Sequence, residues 1–249
     1  MSSWAISFVA LLCMFGGALL GVLLPAQSLS ADAKDVVRLG TGLIGTLAAL
    51  VLGLLVASAK SSFDTQSSQV RQLTATVIAL DNLLAQYGPE TKAVRNQFRS
   101  GIAAATDRIW LEHTSNFVKS EVFEASSAAE TFLRGVQALT PTSDAQRSLK
   151  DQAIQTSVKL AEVRLLLFAQ KGGSTPAPFL VVLVFWLTII FVSFGLFSQP
   201  NSIVIGALFL FAMSAASAIF LFLELDQPFE GMMQISSTPL RNALAPLGP

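Results

Sequence analysis

Four stretches of this chain carry no charged residue: Trp4 to Leu24, Leu39 to Ala59, Phe179 to Gln199 and Ser202 to Leu223. At about 1.5 Å rise per residue, each is long enough as a helix to cross a hydrocarbon core about 30 Å thick. Backbone polar groups in such a core find no water, so each stretch must bond its own amides and carbonyls, which a helix does. A buried helix of a soluble domain is rarely so long and so free of charge. Only 13% of residues are charged, and the mean hydropathy is +0.60. The 16 basic and 16 acidic residues cancel, which leaves no basic excess for nucleic acid. The first stretch lacks the basic start of a secretory signal and its apolar part is too long, so it reads as a span.

Short connections order the spans. Pro25 to Arg38 is expected to link the first two, and Ser198 to Ser202 the last two, with Pro200-Asn201 suited to a tight turn. Four crossings put both termini and the middle of the chain on one side. Lys60, Arg71, Lys159, Arg164, Lys171 and Arg241 lie on that side, against Lys34 and Arg38 on the other. The positive-inside rule makes it the cytoplasmic side of the inner membrane. The expected organisation is a hairpin over residues 1–60, a helical cytoplasmic domain over 61–175, a second hairpin over 176–225 and a cytoplasmic tail over 226–249.

The middle domain reads as helix throughout. Val70, Leu73, Val77, Leu80, Leu84 and Tyr87 alternate at steps of three and four, a helical seam close to a heptad pattern. No breaker separates this seam from the second span, so one long helix is expected to run on until Gly88-Pro89. Helical pattern resumes to Trp110 and again from Phe117 to Leu139, with a boundary near His113 to Asn116. Pro141 breaks it, and Thr142 or Ser143 can cap a last helix ending at Gln170 before Gly172-Gly173. Ile154, Val158, Ala161, Leu165 and Phe168 form an apolar stripe there, expected to turn into the protein's membrane-proximal core.

Within the membrane, Gly45, Ala49, Gly53 and Ala57 follow at steps of four on the second span, a spacing that lets helix backbones approach closely. Gly17 and Gly21 repeat it on the first span, and Ala212 and Ala216 on the fourth. Beside the second-span stripe lie Thr46, Leu50, Leu54 and Ser58, polar at the ends and aliphatic between. This fits an apolar constriction in a pore and equally a helix facing its own bundle. No charge lies inside any span, which argues against proton-coupled pumps.

Chemistry is sparse. Cys13 is the one cysteine and His113 the one histidine, which excludes a disulfide within the chain and a cysteine- or histidine-only metal site. Glu112 beside His113 cannot face it on a helix. There is no phosphate loop or nucleophile elbow, so no enzyme, cofactor or metal is expected. After the fourth span, Glu224 and Asp226 are expected to face water before Pro228 ends the helix.

Val51-Leu52-Gly53-Leu54-Leu55-Val56, then Phe63-Asp64, Asp81 and Tyr87-Gly88-Pro89-Glu90, and the tail Leu223 to Gly231 with Ile235-Ser236 and Pro239-Leu240-Arg241 resemble the bacterial bestrophin-like domain family. In the tail, Glu224, Asp226, Pro228, Phe229 and Arg241 carry the signature. More distantly the chain is similar to bestrophins, homopentameric ion channels with the same order of hairpin, helices and hairpin. That resemblance implies a pore along the second span, with Thr46, Leu50 and Leu54 at the neck and Gln66 at the place of a family glutamine. Bestrophin necks are bulky and aromatic, and leucines here would make a softer constriction. Gly231-Met232-Met233 stands where animal bestrophins have the acids that bind calcium, so calcium gating is not expected.

The chain is thus expected to be an all-α membrane protein of bestrophin-like build. Its partners would be lipid, its own copies and inorganic ions, with no nucleic acid. Its function would be a homo-oligomeric, pentameric ion channel lined by the second span. The competing reading is a non-conducting membrane scaffold or sensor that binds a cytoplasmic partner through its helical domain.

Overall fold

The computed structural model describes residues 2–24, 30–111, 129–170, 177–229 and 231–244. Among these the protein is all-α. The helices are α1 (Ser3–Leu23), α2 (Ala31–Tyr87), α3 (Lys92–Leu111), α4 (described over 129–137), α5 (Asp144–Gln170), α6 (Ala177–Leu196), α7 (Ser202–Asp226) and α8 (Thr238–Leu244). Among the described residues four of them, α1, α2, α6 and α7, are long and apolar enough to cross a membrane. The chain divides into two compact units, one of residues 1–63 and 174–233, the other of residues 64–173 and 234–249.

In the first unit, α1 packs against α6 and α7, helices remote from it in sequence. Apart from Met14 its buried face is of small residues: Ser3, Ser7, Ala10, Gly17, Ala18 and Gly21. Lipid tails are as apolar as leucine, so close packing rather than water exclusion holds such helices together. Gly21 illustrates the requirement, because a Cβ there would strike the Val192 carbonyl of α6. Met14, Ala18, Ala212, Ile219 and Phe222 fill the centre. Phe15 and Phe209 meet edge to face with ring centroids 5.3 Å apart. The membrane part of α2 rests on α6 through Ala48, Leu183 and Ile190. Thr41 Oγ1 also donates to Ser193 Oγ at 2.9 Å.

The link from Pro25 to Arg38 is shorter than expected. Ser30 caps α2, accepting from the Ala33 amide at 3.2 Å, and Asp32 to Arg38 are helical. Asp32 suits the positive N-terminal end of a helix, and Asp35 pairs with Arg38 at 3.8 Å one turn on, so these polar residues support helix rather than break it. Asn201 caps α7 through the Ile203 amide, 3.2 Å away.

In the second unit the seam Val70, Leu73, Val77, Leu80, Leu84 and Tyr87 is buried, as its spacing predicts. The long helix ends at Gly88, whose φ of 137° disfavours other residues. Thr91 Oγ1 then donates to the Gly88 carbonyl at 2.8 Å and starts the turn into α3. Asp81 is buried between Arg95 and Arg99, each donating to both carboxylate oxygens at 2.8 and 3.1 Å. Burial opposes the Asp81 charge, but the two guanidiniums outweigh it and hold the carboxyl below the usual aspartate range. Hydrogen bonding to Asp81 raises Arg95 against the opposing effect of burial. Ser143 caps α5, accepting from the Gln146 amide at 3.2 Å, and Gln146 Nε2 donates to the Tyr87 carbonyl at 3.0 Å.

The stripe on α5 is not where expected. Ala153, Ser157, Leu160, Val163 and Leu167 form its buried face, while Val158, Ala161 and Leu165 are exposed, Leu165 by 68%. This helix is apolar on two faces, and the more regular one is turned outward. Most of the run from Phe117 to Leu139, the His113 to Asn116 boundary and Gly172-Gly173 lie outside the described residues.

Candidate functional site

The membrane part of α2 has three faces. Ile44, Ala48, Leu52, Leu55 and Ala59 lean on the unit's other helices. Thr46, Leu50, Leu54 and Ser58 are all exposed, Leu50 by 61% and Leu54 by 63%. Of the small residues, Ala49, Gly53 and Ala57 are exposed as well, and Gly45 is half-buried. A Cβ on Gly53 would meet no atom within 4 Å, and one on Gly45 would only graze Ile190 Cδ1 at 4.0 Å. The close helix approach inside the subunit therefore falls on α1 and α6. The small stripe of α2 and its aliphatic neighbour both face away from the subunit.

That outward face differs in kind from the others. Exposed positions of α1, α6 and α7 include Trp4, Phe8, Phe179, Phe185, Phe194, Phe209 and Phe211. α2 has no aromatic residue from Ala31 to Ser62. Rings suit lipid contact and the membrane interface, whereas glycine, alanine and threonine suit tight contact with protein. Thr46 satisfies its hydroxyl within the helix, donating to the Leu43 carbonyl at 2.8 Å. At the N-terminal end of α2, Arg38 stacks on the Phe197 ring, 5.1 Å from its centroid, so its charge turns toward α6.

The tail residues are structural in their contacts. Glu224 does not face water as expected. It is 3% exposed, and it accepts from the Met232 amide at 2.7 Å and the Met233 amide at 3.4 Å. Gly231, at φ 77°, makes the fold-back possible, and a Cβ there would strike the Glu224 carboxylate. The carboxylate thus caps a pair of backbone N–H groups, which compensates its desolvation. Pro228 and Phe229 lie just beyond it, both buried, and Asp226 is half-buried. In the other unit, Arg241 of α8 donates to Asp107 Oδ1 at 2.7 Å, and Trp110 Nε1 donates to the Ile235 carbonyl at 2.7 Å. The signal in the sequence for this backbone cradle under Glu224 is slight, Gly231 following an acidic helix end. Among the described residues no cluster of metal-ligating side chains occurs. His113 lies outside them.

A family model described as "Bestrophin-like domain" matches residues 8–240. No curated protein and no solved structure is significantly similar to the chain.

Proposed function

The chain belongs to the Bestrophin-like domain family, and from that premise we propose that it is a homo-oligomeric, pentameric ion channel of the cytoplasmic membrane. Its four membrane helices stand as two hairpins with the helical domain inserted between them on the cytoplasmic side. The pore is lined by α2, with Thr46, Leu50, Leu54 and Ser58 toward the axis and Leu50 and Leu54 as a hydrophobic neck. Gly45, Ala49, Gly53 and Ala57 then pack one α2 against the next. One observation carries this reading: the outward face of α2 is charge-free, ring-free and uncovered in the single chain, while the other membrane helices expose rings. Identical copies meeting through that face enclose an axis.

Recording from purified protein in a planar bilayer tests it. The neck limits conduction by dewetting, so Leu50→Ala with Leu54→Ala should conduct more than the parent chain. Silence in both chains, with a closed or lipid-filled centre in particle images, would leave the scaffold reading in its place.

A further inference from the structure

Asp81 of the second unit is held by two guanidiniums where charge balance asks for one. Arg95 and Arg99 lie four residues apart on one face of α3, and both reach the same carboxylate. Lys92, three residues before Arg95, shares that face and is exposed. No acidic residue stands between Lys92 and Thr106 on α3. The acids nearest in sequence are turned elsewhere. Glu90 lies against Gly88, where a Cβ would strike its carboxylate, and Asp107 accepts from Arg241 at 2.7 Å. Lys92, Arg95 and Arg99 thus share the Asp81 carboxylate, and positive charge is left over.

Folding alone does not account for this excess. One arginine neutralises a buried aspartate, and a second adds a partly desolvated charge that must be offset. Lys92 and Arg95 also fall in the first turn of α3, the end where the helix dipole disfavours cations. Like charges at steps of three and four repel. Each of these features costs stability, and an anion from outside the chain would relieve all of them.

The donors for such an anion are in place. A guanidinium carries five N–H groups. The bonds to Asp81 use Nε and Nη2 of each arginine and leave Nη1 out. The two side chains are 26% and 24% exposed, so a small solute can reach them. Asp81 fixes both before any ligand arrives, which lowers the ordering cost of binding. Arginine forks match the oxygens of a phosphoryl group or a carboxylate, and lysine adds a point charge. A surplus of more than one positive charge suits a phosphoryl dianion better than a singly charged carboxylate.

We infer that Lys92, Arg95 and Arg99 form a binding site for a phosphoryl group, with Asp81 holding the two arginines in position. A soluble phosphate compound and a phospholipid headgroup present the same chemistry, and the experiment separates them. The site lies within the second unit and needs neither the oligomer nor the pore.

The test titrates the full chain, in phosphatidylcholine nanodiscs, with inorganic phosphate and reads the heat of binding. Ionic strength is held fixed, so general screening does not contribute. Saturable binding by the parent chain is expected. Arg99→Gln keeps the Arg95–Asp81 pair and should weaken binding about tenfold, the loss of a charge-assisted hydrogen bond. Lys92→Gln changes an exposed side chain outside that pair and should weaken binding several-fold. Arg134→Gln, at an exposed arginine of α4, should leave it unchanged. Phosphatidate added to the nanodiscs then separates the two sources. Competition with phosphate that disappears in Arg99→Gln assigns the site to a headgroup, and binding that phosphatidate does not disturb assigns it to a soluble compound. No saturable binding by the parent, or binding by Arg99→Gln and Lys92→Gln equal to the parent's, overturns the inference.

Discussion

Gly21 of α1 and Gly195 of α6 approach so closely that neither position has room for a Cβ. At Gly195 it would strike the Ala18 carbonyl, and at Gly21 the Val192 carbonyl. The obstacle on both sides is backbone, which cannot rotate out of the way.

Gly195→Val should therefore force the two helices apart. Overpacking costs about 1–3 kcal/mol even where side chains can adjust, and the upper end is expected here. Gly53→Val on α2, which meets nothing in the subunit, should leave the stability of the isolated subunit within about 0.5 kcal/mol. Thermal unfolding in detergent compares the two, and equal losses would contradict the helix contacts described above.

The buried Asp81 should make the second unit sensitive to acid. Its folded pKa lies below the unfolded value of about 3.9, so its stabilisation is complete above that value and is lost as pH falls through the folded one. Asp81→Asn removes the charge at all pH values, leaves Arg95 and Arg99 one neutral amide oxygen to share and turns an NH2 donor toward them. A cost of about 2–4 kcal/mol at neutral pH is expected, since half of a buried pair is left behind. The acid limb of stability should flatten in the same variant. Unfolding followed by circular dichroism against pH checks both, and an unchanged limb would assign the acid sensitivity to other carboxylates.

Glu224 and Gly231 form one unit in energetic terms. Glu224→Ala leaves the Met232 amide without its acceptor, at a cost of about 1–3 kcal/mol. Gly231→Ala drives a Cβ into the same carboxylate from the other side and strains a φ of 77°. Each should raise the rate of proteolysis between Gln227 and Met233. The double variant should lose less than the sum of the two, because the clash disappears with the carboxylate. Strict additivity would show that the two residues do not act on each other.

A polar neck should behave unlike a merely wider one. Leu50→Ser with Leu54→Ser keeps the bore close to that of the alanine pair but wets it, so conductance should rise further. Single-channel currents of the two pairs decide this. A lower current with serine would move the constriction away from these residues.

The sequence made the membrane helices and the long α2 legible because both rest on strong one-dimensional signals. Absence of charge marks a span, and the Val70 to Tyr87 seam has helical period. The tail was misread at Glu224, since a carboxylate at a helix end ordinarily faces water and nothing in the order of residues announces two backbone amides folding back to receive it. On α5 the stripe from Ile154 to Leu165 was legible as apolar but not as exposed. A helix with two apolar faces gives no indication of which one its own chain covers. α2 posed the same difficulty in the membrane. Ile44, Ala48, Leu52 and Leu55 rest on the neighbouring helices, yet their spacing is no more regular than that of Thr46, Leu50, Leu54 and Ser58.

The contacts of α1 bear on how the protein is made. Its partners, α6 and α7, begin only at Ala177 and Ser202. At about 5–20 residues per second, α1 waits roughly 10–30 s in the bilayer before the ribosome has produced a helix for it to hold. During that interval Gly17 and Gly21 lie against lipid, and what keeps α1 in place is its own helical backbone. α1 is made well before the neighbours it packs against, so a ribosome stalled before residue 177 would leave it inserted but unassembled.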